Sequence, residues 1–461
     1  MTPHIPHAPA TPHVVIAGGG IAGLTAALAL HAAGLTRITV VEAARATRPV
    51  GAGLNLMPGA VRELDALSLL PDLEAGAALR TRELRYYHRS GALISREPRG
   101  LGAGYHWPQL SVHRAHLQKV LGAAVRRRLG ASAVLHGVRV TGVGTAAGAG
   151  AGAGARGAGR PLLRLEHRGS GVRSWRASLE PDVLIGADGI RSAVRAALHP
   201  GEGAPPWNGL VIWRGVTRLP AAAAPRFMLI AGDDRQKAVV YPMSRPADGE
   251  VLVNWALARP ADGEQDERTF GDWRRQVAVD TFLHHYAGWE FDGVRITDVL
   301  RTTDTAHAYP MVDRDPLDRW SHGRTTLIGD AAHAMYPIGS NGASQSIVDA
   351  RALAHALAAH RDPVEALRAY EADRRPVTTA LQEANRRQGP EVVIDLAHRR
   401  APDGFQDVHQ VIPAEELAAI AGRYAATGAF DPATVNQGSP YGATYPPGAP
   451  RRPLAEPVRV P

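Results

Sequence analysis

The chain of 461 residues contains no cysteine. Disulfides and thiolate metal sites are excluded, and the composition fits a reducing cytoplasm. It lacks any run of about 18 apolar residues, so no membrane-spanning helix is expected. The opening stretch, "MTPHIPHAPATPH", has no apolar segment of the signal-peptide kind. Its three histidines have no acidic or cysteine partner nearby, so residues 1–12 are expected to form a disordered tail rather than a metal site. A dense Lys/Arg run is also missing. The formal net charge of +8 is spread over scattered arginines among 49 glycines and 35 prolines, which is not a nucleic-acid footprint. The surplus reads as arginine-rich compositional bias combined with attraction for anionic small molecules, such as a pyrophosphate cofactor or an aromatic acid.

What is present is a large globular chain, 45% hydrophobic, with about three domains' worth of polypeptide. "HVVIAGGGIAGLTAALALHAAGLTRITVVEA" (His13 to Ala43) reads as strand, tight turn, helix and strand. Ile21 to Ala33 is rich in the helix formers Ala and Leu, and Gly34 stands at the helix C-cap. Gly18-x-Gly20-x-x-Gly23 lies between the first strand and the helix. Gly18 permits the turn, Gly20 lets a pyrophosphate approach the backbone, and Gly23 lets helix and strand pack closely. The anion would sit on the helix N-terminus. Glu42 ends the second strand, where a carboxylate accepts hydrogen bonds from ribose hydroxyls. A glycine turn without a ligand is the alternative, and the complete strand–helix–strand–acid context weighs against it.

"SVHRAHLQKVLGAAVRRRLG" (Ser111 to Gly130) reads as a helix with Arg114 and Gln118 on one face. The stretch from Gly144 to Gly159 is almost all Gly and Ala and reads as a flexible loop between two strands. "PDVLIGADGIRSAVRAAL" is again strand, turn and helix. The β-rich runs from Trp207 to about Ala258 predict an antiparallel sheet in a second domain. "RTTLIGDAAHA" is a final strand entering a Gly-Asp turn. A helix follows it with Ile347, Ala350, Leu353, Ala354 and Leu357 on one stripe. "PVEALRAYEADRRPVTTALQEANRRQ" is a further helix, and the stretch from Pro446 reads as disordered.

"GADGIRSAVR" (Gly186 to Arg195) and "GDAAHAMYPIGSNGASQSIVDA" (Gly329 to Ala350) resemble the second and third motifs of the group A FAD-dependent aromatic hydroxylases, the family typified by para-hydroxybenzoate and salicylate hydroxylases. The resemblance spans about residues 13 to 390. "YPMVDRDPLDRWSHGRTTLIGDAAHAMYPIGSNGASQ", "WNGLVIWRGVT" and "AGDDRQKAVVYPMS" are most similar to the family's phenazine-modifying members. The resemblance implies an α/β fold: a Rossmann-like FAD-binding domain of the para-hydroxybenzoate hydroxylase type, an inserted antiparallel substrate domain and C-terminal helices. The FAD domain is expected over 13–80, 111–206 and 300–400, the substrate domain over 81–110 and 207–299, and an extension over 401–461.

The resemblance also implies roles. Gly18, Gly20, Ala22, Gly23, Glu42 and Gly53 belong to the expected FAD site. Arg114 matches the arginine that contacts the cofactor phosphate and ribityl region, with Gln118 one turn on. Asp188 matches a residue supporting FAD and the transient NAD(P)H, or else braces its own turn. Asp330 matches the aspartate on the ribityl hydroxyls. Gly339 to Ala343, including Gly342, match the loop that meets the flavin ring, and Pro337 stands at the catalytic position beside it. His333 reads as a packing residue. Arg191 and Arg195 read either as NAD(P)H phosphate contacts or as solvated helix charges. Trp213 and Tyr241 are candidate walls of a substrate pocket, and Trp255 shares their sheet; as core aromatics they would be unexceptional.

The last FAD helix has a physical role as well. Ser340 or Asn341 can cap it, with its positive end facing the flavin edge that becomes anionic on reduction. Gly339 and Gly342 would keep side chains out of the way.

The implied activity is hydroxylation of an aromatic or heteroaromatic acid by NAD(P)H and O2 through a flavin C4a-hydroperoxide in a dry pocket, with loss of a carboxyl group as a variant. The partners are thus a small aromatic substrate and O2, with no nucleic acid and no membrane span. Two alternatives stand beside this reading. A flavin halogenase would show a WxWxI motif and a lysine that are missing here. A binding protein that kept the fold without redox function would not need the intact GDAAH loop.

Overall fold

Short, mainly apolar and β-branched runs suit a sheet buried on both faces, and such runs form one here. Its strand order is Thr325–Leu327, Val183–Gly186, Val14–Ala17, Ile38–Glu42 and Val134–His136, and all are parallel. The structure is a computed structural model and describes residues 11–46, 52–76, 78–146, 159–167, 174–261, 275–303 and 305–442. Most of the expected tail over 1–12, most of the Gly/Ala tract and the stretch from Pro446 lie outside these residues. The strands flanking that tract, Val138–Thr145 and Pro161–His167, pair antiparallel.

The helix Ile21–Ala32 follows the first strand, and Gly34 takes φ 91° just beyond it. It packs against Gly342–Ala359, whose Ile347, Ala350, Leu353, Ala354 and Leu357 are all buried as their spacing predicts. The helix expected from Ser111 begins instead at Arg114. Residues Gln109–His113 form a strand between Gly53–Leu56 and Leu79–Thr81, because their backbone groups pair on both sides there. No helix among the described residues is long and apolar enough to cross a membrane.

The β-rich runs join an eight-stranded sheet. It is antiparallel except at one point: Met228–Gly232 runs parallel to Glu83–His88. Directly opposed residues share a face, so the register assigns each side. One face carries Trp213, Gly215, Trp255 and Val240, and is covered by Phe282, Tyr286, Trp289 and Phe291. The other carries Arg214, Val216, Asn254, Ala256, Val239 and Tyr241. The helix Val392–Arg400 packs over part of that second face through Val393, Ile394 and Ala397.

Beyond Ala401 the described residues run to 442. The helix Ala414–Thr427 packs on Pro363–Arg386. The strand-less stretch after it crosses the molecule: Arg62 donates to the Val435 carbonyl at 3.0 Å, and Asn436 donates to the Gly104 carbonyl at 2.8 Å.

Candidate active site

Each glycine of the first motif does a different steric job. Gly18 has φ 109°, and a Cβ there would sit 2.3 Å from the Ala187 carbonyl oxygen. A Cβ at Gly23 would sit 1.9 Å from the Gly18 carbonyl oxygen, so helix and turn touch. A Cβ at Gly20 would meet nothing within 4 Å. Gly20 is also the N-cap of its helix and leaves the first-turn N–H groups without a side-chain partner. Open space in front of uncapped N–H groups is an anion cradle. Ala22 lies at a helix crossing, 3.0 Å from where a Cβ of Gly329 would be.

Glu42 ends its strand as expected and braces the turn. Its carboxylate accepts from the Gly19 N–H at 2.7 Å and from the Ala44 N–H at 2.6 Å. Gln118 donates to the Gly19 carbonyl at 3.3 Å. Arg114, four residues earlier, is exposed on the same helix. Gly53 donates to Asn254 at 2.6 Å, and a Cβ there would lie 2.4 Å from the Met243 sulfur and 2.7 Å from the Tyr241 hydroxyl. Gly53 thus lets the eight-stranded sheet close onto the parallel-sheet unit.

Two residues of the second motif turn out to be braces. Asp188 accepts from the Ser192 hydroxyl and from the N–H groups of Ala193 at 2.7 Å and Val194 at 3.3 Å. Burial nevertheless pushes its pKa up. Its side chain caps the helix Ala193–Leu198. Arg195 is neither solvated nor placed for a phosphate. It is 1% exposed, pairs with Glu202, and donates to the carbonyls of Ala332 at 2.8 Å and Asp315 at 2.9 Å. Carbonyls brought in from Asp315, Ala331 and Ala332 surround this arginine, which helical spacing alone does not reveal.

In the third motif, His333 is fully buried with Nε2 2.5 Å from Asp349, whose other oxygen accepts from Arg374 at 3.0 Å. Burial alone would raise the Asp349 pKa, but these two partners outweigh it and hold it low. Asp330 is exposed instead, 3.9 Å from the Cβ position of Gly342. Nothing else comes within 4 Å of that position. Asn341 occupies the N-cap of Gly342–Ala359, but its side chain makes no cap bond. It turns to Tyr424 instead, which corrects the expected capping. A second set of N–H groups, at Gly342 and half-buried Ala343, is therefore left uncapped beside a carboxylate. Pro337 is exposed at the start of the loop. Gly339 serves a different purpose from the one expected: a Cβ there would lie 2.1 Å from the Tyr424 hydroxyl, so its missing side chain makes room for Tyr424.

The face of the eight-stranded sheet that meets Gly53 through Asn254 and Tyr241 carries residues that the sequence did not single out. Arg214 lies on a central strand of that face with Ala256 and His307 directly opposite it, and it is half-buried. It makes no hydrogen bond or ion pair with any described residue; burial lowers its pKa, and Tyr241 and Tyr309 are its nearest favourable groups. Lys237, on the same face, is instead paired with Asp395 at 3.1 Å. Burial also lowers the pKa of His307 and raises those of Tyr241 and Tyr309.

Of the two expected pocket walls, Tyr241 lies on this face with Arg214. Trp213 does not: strand alternation turns it to the opposite face, stacked on Phe282 at 4.8 Å. There it lines a separate cavity of about 320 Å³ with Arg259 and His285. Trp255 is core on that face, its indole donating to Thr303 at 2.8 Å.

The cradle at Gly20, the exposed Asp330 and the uncapped N–H groups at Gly342 offer a pyrophosphate, hydroxyls and an electron-rich ring edge their partners in turn, which fits FAD. Comparisons with known proteins agree. Residues 11–385 match the family described as FAD binding domain. The phenazine 1,6-dicarboxylic acid hydroxylase PhzS of Lysobacter antibioticus is 45% identical over 383 residues, 81% of this chain and 89% of that one. The 3-amino-4-hydroxybenzoate 2-monooxygenase PtnB3 of Streptomyces platensis is 32% identical, over 82% of this chain and 88% of that one. Among solved structures, Klebsiella pneumoniae HpxO complexed with FAD and uric acid superposes with TM-score 0.67 at 24% identity, covering 91% of this chain and 98% of that one. PqsL of P. aeruginosa gives 0.66 at 20% identity, over 89% and 99%, and these two likenesses bear on the fold alone. With a family match over most of its length and a relative of that identity, the chain belongs to the FAD-dependent aromatic hydroxylases of group A.

Proposed function

We propose that this enzyme hydroxylates a planar heteroaromatic carboxylic acid of the phenazine-carboxylate kind in the cytoplasm, using FAD, NAD(P)H and O2. The observation that carries the acid is Arg214. A guanidinium held half-buried without a carboxylate partner costs free energy, and an anionic ligand offsets that cost. Arg is also the side chain that grips a carboxylate bidentately. Small Ala256 lies directly opposite it, and the phenols of Tyr241 and Tyr309 act on its charge, which supports a flat ring as the ligand's body. The Lysobacter antibioticus relative is named for a phenazine dicarboxylate, which supports the size and charge of the ligand.

In this reading the segments 13–80, 111–206 and 300–400 hold FAD, and the sheet from 81–110 and 207–299 holds the substrate. The Gly20 cradle takes the pyrophosphate, Glu42 the ribose, and Arg114 and Asp330 the region between phosphate and ring. FAD held by these residues would supply the redox chemistry, taking up reducing equivalents from NAD(P)H for the activation of O2. The protein holds the substrate ring beside Pro337 through Arg214. It excludes water with Tyr241 and Tyr309, and presents the N–H groups of Gly342 and Ala343 to the ring edge where negative charge develops.

The test is a panel of phenazine and benzoic acids, each with its neutral amide, scored for stimulated NAD(P)H oxidation and for product mass. A product heavier by one oxygen, from acids and not amides, is expected; loss of a carboxyl group would show in the same mass. Oxidation stimulated equally by acid and amide would overturn the reading.

A further inference from the structure

The loop Tyr336–Asn341 has a backbone its sequence does not favour. Gly339 lies at φ 65° and Ser340 at φ 58°, so two successive residues are left-handed and one of them carries a side chain. Such a conformation persists only where the surroundings hold it. Three hydrogen bonds, all running in one direction, supply the hold. Asn341 Nδ2 donates to the Tyr424 hydroxyl. That hydroxyl donates to Asn385 Oδ1 at 2.8 Å. Asn385 Nδ2 donates to the Tyr336 carbonyl at 3.3 Å. The relay leaves one end of the loop and returns to the other.

We propose that Tyr424, carried by the C-terminal helix, is a positioning residue that closes a clasp on the flavin-facing loop and thereby sets the redox behaviour of the bound flavin. This rests on the reading that Gly342 and Ala343 face the ring. Tyr424 touches no reacting atom and acts through Asn341, the residue immediately before them. Because the Asn341 amide is committed to Tyr424, it makes no bond to its own helix, and the first-turn N–H groups stay directed outward. Release of that amide lets it cap the helix and withdraw a donor from the ring. The glycines agree with the arrangement: a Cβ at Gly389 would lie 3.0 Å from the Tyr424 ring, and one at Gly339 would strike its hydroxyl. Burial keeps the phenol pKa high, so it remains a donor across the working pH range. The extension after Ala401 is on this account part of the active-site support.

The experiment is Tyr424→Phe, which keeps the ring and removes the hydroxyl, with flavin content, melting transition, flavin absorption and reduction potential measured on the holoenzyme. Flavin content and melting are expected to stay near wild type. The potential is expected to fall by about 20 mV, which is a fivefold loss of preference for the reduced ring at about 30 mV per tenfold and the weight of one ordinary hydrogen bond. The absorption band should shift with it, and more hydrogen peroxide should escape during turnover. An unchanged potential and band in Tyr424→Phe, when Gly342→Val does shift them, overturns the clasp alone. If neither variant shifts them, the clasp and the placement of the ring fall together. Should Tyr424→Phe fail to hold flavin, Asn341→Ala leaves the C-terminal helix in place and carries the same measurement with the same two outcomes.

Discussion

Arg214→Met removes the charge and the five donors of the guanidinium while keeping the length of the side chain. If Arg214 grips the substrate carboxylate, the loss is at least one hydrogen bond between charged groups, about 1.5–3 kcal/mol. That corresponds to substrate binding about 10- to 150-fold weaker. The effect should fall on the acid and not on its amide, so the two ligands converge in affinity in the variant. FAD affinity should change far less than substrate affinity, because Arg214 shares no hydrogen bond with the described residues of the Gly20 and Gly342 segments and feels Arg114 only as a like charge. Stability should move the other way. Arg214 has no ion-pair partner among the described residues and its pKa is lowered by burial, so a neutral side chain should raise substrate-free stability by on the order of 1 kcal/mol. The assay is titration of the flavin absorption with substrate, alongside thermal melting without it. Equal substrate affinity in variant and wild type, or an equal loss for acid and amide, would refute the assignment of Arg214.

Glu42→Ala removes the acceptor of the Gly19 and Ala44 N–H groups and should weaken FAD binding, since bonds to a carboxylate contribute about 1.5–3 kcal/mol each; an affinity within twofold of wild type contradicts that role. Deleting Ala149 to Gly154 shortens the connection between the paired strands Val138–Thr145 and Pro161–His167. It should leave melting and activity nearly unchanged, because closure entropy changes by about 0.6 kcal/mol per doubling of length; lost flavin would show the tract to be structural. Gly342→Val places a branched side chain in the open space beside Asp330. It should lose FAD or slow its reduction, at a cost on the order of 3 kcal/mol for one displaced donor; anaerobic stopped-flow reduction and a potential measurement check this.

The first motif was readable because its spacing expresses steric necessity: each glycine has its own neighbour or its own empty space. The apolar stripe of the last FAD helix was readable from periodicity for the same reason. The substrate side of the sheet was not. Whether Trp213 or Arg214 lies on it depends on which side of a long strand meets the parallel-sheet unit. That is decided by a contact 201 residues away in sequence, the bond from Gly53 to Asn254. Arg195 was misread because a helical arginine looks solvated until the carbonyls it serves are brought to it from residues 315 and 332. Tyr424 carried no signal at all: its three-bond relay draws on three separate stretches of chain, the loop Tyr336–Asn341, Asn385 and Tyr424 itself.

The parallel sheet is collected from strands that begin at residues 14, 38, 134, 183 and 325. Its last edge strand, Asp330 and the helix Gly342–Ala359 all arrive after two thirds of the chain. During synthesis the earlier four strands can pair, but the apolar side of Ile21–Ala32 has no Gly342–Ala359 to cover it, and the cofactor has half a cradle. Such non-local pairing is slow to form and leaves apolar surface open to aggregation. FAD, held by early and late segments as proposed above, would then act as a folding ligand that seals the last third of the polypeptide onto the first. A supply of FAD during expression should raise the yield of soluble enzyme more than the same FAD added to the finished, cofactor-poor protein.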